Sequence, residues 1–200
     1  MIPSGIYVNK CAIAEMLNEP KILNKAVHEL DVIVGKHRLV QESDLIHLNF
    51  IKSCLKEALR LHPVAPFNLP HVASIDTTVA RYFIPKGSHV LLSRPGLGRN
   101  ADVWDDPMTF IPERHSEVVL TDHKLHVFSF STGRRGCPGV LLGTTMTVML
   151  LARLIQGFTW ELPPREPLVD LKENMQNLWK AKPLFALVKP RLPHNLYPAC

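Results

Sequence analysis

One stretch constrains this 200-residue chain more than any other: Phe130-Ser131-Thr132-Gly133-Arg134-Arg135-Gly136-Cys137-Pro138-Gly139, running straight into an apolar segment, Val140 to Ala152. Proline is favoured at the first helical position, so Cys137 is predicted at or beside a helix N-terminus. Unpaired backbone N–H groups and the positive end of the helix dipole stabilise an anionic sulfur there. A thiol of ordinary pKa ~8.5 is expected to shift toward thiolate in such surroundings. Gly133, Gly136 and Gly139 remove side chains on both sides of the sulfur, so a flat group can approach the backbone. Arg134 and Arg135 add positive charge suited to a carboxylate on that flat group. A haem with cysteine as axial ligand meets all of these demands. The bland alternative is a buried structural cysteine in a Gly-rich turn.

The spacing of Phe130, Gly133, Arg135, Cys137 and Gly139 resembles the haem-ligand loop of the cytochrome P-450 superfamily at each defining position. Two further stretches carry the same resemblance. Lys56-Glu57-Ala58-Leu59-Arg60-Leu61-His62-Pro63 is similar to its Glu-x-x-Arg helix, and Phe110-Ile111-Pro112-Glu113-Arg114-His115 to its later Pro-Glu-Arg element. Three residues apart on a helix, Glu57 and Arg60 share a face and can pair. Alone, that pair reads as a solvated surface pair. The resemblance implies instead a buried triad of Glu57, Arg60 and Arg114 that locks the loop beneath the haem. It also puts His71, after Leu69-Pro70, where family members carry a basic residue on a haem propionate; a lone loop histidine otherwise faces solvent.

Composition narrows the alternatives. At 46% hydrophobic and 20% charged, the chain has an ordinary globular balance. Seventeen prolines, mainly after about residue 60, argue for a loop-rich second half. The four cysteines, Cys11, Cys54, Cys137 and Cys200, form no Cys-x-x-Cys pair, which argues against zinc, a disulfide framework or thiol-redox chemistry. A net charge of +5 is a mild bias toward an acidic partner, too diffuse for nucleic acid. Val140 to Ala152 is shorter than the ~17 apolar residues of a membrane span, and reads as a core helix backing the cofactor.

Along the chain, Pro3, Ser4 and Gly5 break any periodicity before residue 10, and Ala12 to Asn18 reads as the end of a helix. A helix is predicted from Lys21 to about Val34, with Leu23, Ala26, Val27, Leu30 and Ile33 on one face and Gly35 as its stop. Glu42-Ser43-Asp44 offers caps for a short turn, and a third helix is predicted from about Leu48 to Leu61, ended by His62-Pro63. Thr77 to Ala80 and His89 to Ser93 are the expected strand pair about the Ile84-Pro85-Lys86-Gly87 turn. Leu184 to Val188 is strand-like. The fold class is mainly α with small antiparallel β-sheets (α+β), the carboxy-terminal part of the cytochrome P-450 fold, with residues 1–200 as a single partial haem-thiolate monooxygenase domain.

Ala65 to His71, Gly96 to Asn100, Pro112 to His115 and Phe128 to Gly133 resemble one plant branch, the aldoxime-forming amino-acid N-monooxygenases of specialised metabolism. His115, where most relatives carry an aromatic residue, is typical of it. The resemblance implies two successive N-hydroxylations of an amino acid, then dehydration and decarboxylation to an aldoxime. It further implies haem as cofactor, electrons from an NADPH-dependent reductase docking on the basic face near Cys137, and Met175 to Lys180 as a loop approaching the substrate. It implies residence on the cytosolic face of the endoplasmic reticulum membrane. The departures are also expectations: less than half a member's length, no amino-terminal anchor, no match to the oxygen-activating helix before Ala12, and a shortened segment after His115. They leave a second reading open, a catalytically inactive truncated remnant with weak or no haem binding.

Overall fold

The computed structural model describes residues 2–115, 129–131 and 136–197. Four long helices form the core. Helix α1 (Ile2–Asn18) is central and packs on α2 (Pro20–Ile33), α3 (Asn49–Leu61) and α5 (Val140–Gly157). The expectation of only a helix end at Ala12 to Asn18 is corrected: α1 begins at Ile2 and runs unbroken through Pro3 and Gly5. Proline is tolerated in a first helical turn, where its missing N–H has no partner to lose. Every residue from Tyr7 to Leu17 except Lys10 is buried, so α1 has no single apolar face for a periodicity search to find. Gly5 serves close approach, because a Cβ there would stand 2.7 Å from Thr147 Oγ1 on α5.

Helix α2 follows its predicted stripe, with Ala26 and Leu30 fully buried and Leu23, Val27 and Ile33 half-buried against the core. Gly35 ends it at φ +79°, donating its N–H to the Leu30 carbonyl (3.1 Å). Helix α3 has no side-chain cap of its own. Glu29 of α2 supplies one, its carboxylate accepting from Phe50 N (2.7 Å) and Ile51 N (2.9 Å). A negative group at these unpartnered N–H donors stabilises the helix start.

The strand pairing differs from expectation. Strand β2 (Thr77–Val79) pairs with β3 (Tyr82–Ile84), and β1 (His71–Val72) pairs with β4 (His89–Val90), all antiparallel. The turn at 80–81 brings β2 back at once, with Ala80 and Arg81 at positive φ, so the tight hairpin forms one turn earlier than Pro85-Lys86-Gly87 suggests. The short helix α4 (Arg94–Gly98) starts at Ser93, whose Oγ accepts from Gly96 N (3.1 Å). The last sheet joins β5 (Phe158–Glu161) to β6 (Leu187–Pro190), so the strand expected at Leu184 begins three residues later.

Helix α5 runs past Ala152 through Arg153 to Gly157. Its 18 residues are therefore long and apolar enough to cross a membrane by length and composition, contrary to the shorter reading from sequence. Val148, Leu151, Ala152 and Ile155 are buried in the helical core, and Gln156 is fully buried. The Gln156 amide accepts from Val40 N and donates to the Gly35 and Arg38 carbonyls, tying α5 to the chain after α2.

Candidate functional site

Glu57 is the electrostatic centre of the molecule. Its side chain is wholly buried, and its two oxygens receive five donors. Oε1 accepts from Arg60 Nη2 (2.7 Å), Arg114 Nε (3.0 Å) and Ile111 N (3.0 Å). Oε2 accepts from Arg60 Nε (2.8 Å) and lies 2.8 Å from His115 Nε2. Burial alone would raise this carboxyl, but the bonds from Arg60, His115 and Ile111 outweigh it and hold the pKa down at about 2. The surface-pair reading of Glu57 and Arg60 is thereby excluded.

The arginines extend the node into the loop before the Pro-Glu-Arg turn. Arg60 donates to the carbonyls of Gly98, Pro107 and Thr109, and Arg114 to those of Asp105, Asp106 and Thr109. Trp104 lies beside both guanidinium groups, 5.2 Å from Arg60 and 5.8 Å from Arg114. Gly98 must be glycine here, since a Cβ would collide with the Arg60 carbonyl. His115 is the node member that sequence reading missed. Its adjacency to Arg114 was visible, but a histidine–carboxylate contact across 58 residues leaves no local pattern.

The cysteine loop closes on itself, with Cys137 N donating to the Phe130 carbonyl (2.9 Å). Phe130 is half-buried against the core, and Cys137 is half-buried between Gly136 and Gly139. Pro138 is not the first helical residue: α5 begins at Val140 with Gly139 as its N-cap, three residues beyond the sulfur. Gly133, Arg134 and Arg135 lie outside the described residues, as does the segment after His115. His71 is exposed in β1 opposite Val90. Among the described residues no hydrogen bond or ion pair joins it to Cys137 or to the Glu57 node.

A second, partly buried cluster went unread in the sequence. His62, just after α3, places Nε2 2.7 Å from Glu15 Oε1 on α1 and Nδ1 3.8 Å from Glu173 Oε1. Arg99 grips Glu173 with two nitrogens and also donates to the Leu61 carbonyl. The turn from Glu173 to Lys180 is closed by a bridge between those two residues. Trp179 on it stacks on Tyr7 of α1 with ring centroids 5.1 Å apart.

A family model described as cytochrome P450 matches residues 8–188. The chain belongs to the cytochrome P450 family. It is 62% identical to a phenylalanine N-monooxygenase of Prunus mume over 93% of its length, and 60% identical to tryptophan N-monooxygenase 1 of Arabidopsis thaliana over 94%. It is also 56% identical to a tyrosine N-monooxygenase of Sorghum bicolor over 94%. It spans only about a third of these relatives, 36%, 35% and 35% respectively. Two solved structures of a zebra fish cytochrome P450 share the fold. One, with abiraterone, matches at TM-score 0.80 and 30% identity over 90% of this chain and 42% of its own. The other, with progesterone, matches at 0.81 and 29% over 95% and 43%.

P450 membership implies haem held by a cysteine thiolate, and the residues present fit that group. Among the described residues no three His, Cys, Asp or Glu side chains converge to hold a bare ion. A single half-buried sulfur between two glycines suits a metal whose other ligands come from a macrocycle. The adjoining helix has no acidic residue, and Leu142, Met146 and Leu150, four apart, present one exposed apolar stripe.

Proposed function

We propose that this chain is the haem-binding part of a haem-thiolate monooxygenase that N-hydroxylates an α-amino acid toward its aldoxime. The observation that carries the reading is the 62% identity to a phenylalanine N-monooxygenase across nearly the whole chain, including the Cys137 loop. Valine N-monooxygenase 1 of Manihot esculenta is 57% identical over 94% of this chain, which supports the α-amino acid group rather than one side chain as the common substrate feature.

In this reading Cys137 is the axial ligand, and Phe130, Gly133, Arg135, Gly139 and His71 surround the haem. Bound haem supplies oxygen activation, with electrons from NADPH through a partner reductase. The chain's own residues do the rest. The Phe130 carbonyl holds the Cys137 amide, which fixes the loop that presents the sulfur. Arg60 and Arg114 hold Gly98 and the 105–109 loop through six hydrogen bonds to backbone carbonyls while Glu57 holds both arginines, a rigid support for the ligand side. By family, the whole protein works at the cytosolic face of the endoplasmic reticulum membrane.

The test is turnover. The whole protein, haem-loaded, with NADPH, reductase and a panel of amino acids should yield N-hydroxy amino acid and aldoxime by mass spectrometry. Hydroxylation at carbon only, or no amine-dependent product, would overturn the N-monooxygenase assignment.

A further inference from the structure

The Glu15–His62–Glu173–Arg99 cluster contributes no side chain to the Cys137 loop or the Glu57 node, yet it joins three elements remote in sequence. Glu15 sits on α1, His62 caps α3, and Glu173 begins the turn that carries Leu178 and Trp179. That turn meets α1 at a second point: Tyr7 Oη donates to the Leu178 carbonyl (3.1 Å), and the Tyr7 ring stacks on the Trp179 indole. The indole N–H donates to the Val64 carbonyl (2.9 Å), two residues beyond His62. Leu178 is held at φ +60°, a conformation that a leucine keeps only when its surroundings fix it.

We propose that His62 is a positioning residue: by bridging Glu15 to Glu173 it holds the 173–180 turn, and the Trp179 indole with it, against α1. The functional consequence rests on the monooxygenase reading, in which this turn approaches the substrate; His62 then sets the substrate-side wall without touching substrate.

The imidazole makes this arrangement proton-dependent. A protonated ring has two N–H donors, bonding Glu15 and attracting Glu173 by charge at 3.8 Å; a neutral ring has one. If Nε2 keeps it for Glu15, at 2.7 Å, then Nδ1 turns a lone pair toward Glu173 and that carboxylate retains Arg99 alone. Burial works against the protonated ring, but the hydrogen bond to Glu15 and the negative charges of Glu15 and Glu173 outweigh it and lift the His62 pKa above its ordinary value. The charged form, and the full grip on the turn, is therefore present below about pH 6.5 and is lost as pH rises through the raised value. Other ionisable groups surround the cluster. Glu173 is held low despite burial by His62 and Arg99. On α1, burial pushes the Cys11 thiol up to about 11 and lifts Tyr7 far above the usual phenol range. The bases Lys10 and Lys180 act on Cys11, one turn before Glu15. Arg60, on α3 itself, is committed to Glu57.

The chain has three tryptophans, Trp104, Trp160 and Trp179, so 5-fluorotryptophan labelling gives three fluorine resonances, with Trp179 assigned by Trp179→Phe. Titrated from pH 5 to 9, the Trp179 resonance should move with a single midpoint above about 6.5. His62→Gln should abolish that transition while Trp160 stays unchanged. Glu173→Gln, at a less buried position, should lower the midpoint and keeps the test open if His62→Gln folds poorly. A Trp179 resonance that ignores pH in the parent, or an unchanged midpoint in either variant, would overturn the proposal. Because none of this needs haem or turnover, its failure is distinguishable from failure of the monooxygenase reading.

Discussion

Replacing Glu57 with glutamine keeps the shape of the side chain and removes its charge. Arg60, whose side chain is wholly buried, then has no carboxylate, and the new amide group points a donor at donors. The cost follows from linkage. The carboxyl is held at about 2 against an ordinary 4.5, a depression equivalent to about 3 kcal/mol of stability at neutral pH. Mutational breakage of buried pairs gives a similar scale, ~3–5 kcal/mol. For a chain of this size that corresponds to a fall in Tm of about 6–20 °C. The sign with pH is equally definite. A group whose folded pKa is depressed stabilises above its unfolded pKa, and the contribution fades as pH drops through the folded value. The gap between parent and Glu57→Gln should be full at pH 7 and shrink steadily from about pH 4.5 toward 2. Urea unfolding followed by circular dichroism, repeated across pH, measures it. A variant within about 1 kcal/mol of the parent at pH 7, or a gap constant down to pH 2, would refute the reasoning.

Other substitutions probe the same support. Arg114→Ala removes one of five donors from Glu57 and frees the Asp105 and Asp106 carbonyls, while Thr109 keeps Arg60; its side chain is partly solvated, so the loss should be smaller, about 1.5–3 kcal/mol by urea melt. Gly98→Ala drives a methyl into the Arg60 carbonyl and should cost about 1–3 kcal/mol, with Glu57→Gln and Gly98→Ala clearly non-additive in a double-mutant cycle. Glu29→Ala strips the borrowed cap from α3 and should cost about 1–2 kcal/mol, read as faster amide exchange at Phe50 and Ile51.

What the sequence disclosed follows from how local each signal is. The α2 stripe and its Gly35 stop obey helical periodicity and turn chemistry, so they were legible. The Glu57–Arg60 pair was visible from spacing, and Arg114 from resemblance, but burial decides between a surface pair and a structural node, and burial is tertiary. Helix α1 was misread because a helix buried on all sides lacks an amphipathic period, and because Pro3 and Gly5 look like breakers when one sits harmlessly in the first turn and the other makes room for Thr147. Strand pairing failed at β2 because two strained residues, Ala80 and Arg81, turn the chain where no glycine or proline announces it. The His62 cluster left no trace at all, since its members lie at 15, 62, 99 and 173. Of the expected haem-site residues, Phe130, Cys137 and Gly139 are placed together, His71 is exposed on β1, and Gly133 and Arg135 fall outside the described residues.

The reduced, carbon-monoxide difference spectrum of the purified chain with added haem tests the central claim most directly. A thiolate-type band in the parent that disappears in Cys137→Ser is the result predicted here. A free-haem spectrum in the parent, or a thiolate band that survives Cys137→Ser, would contradict the assignment of Cys137 as the ligand.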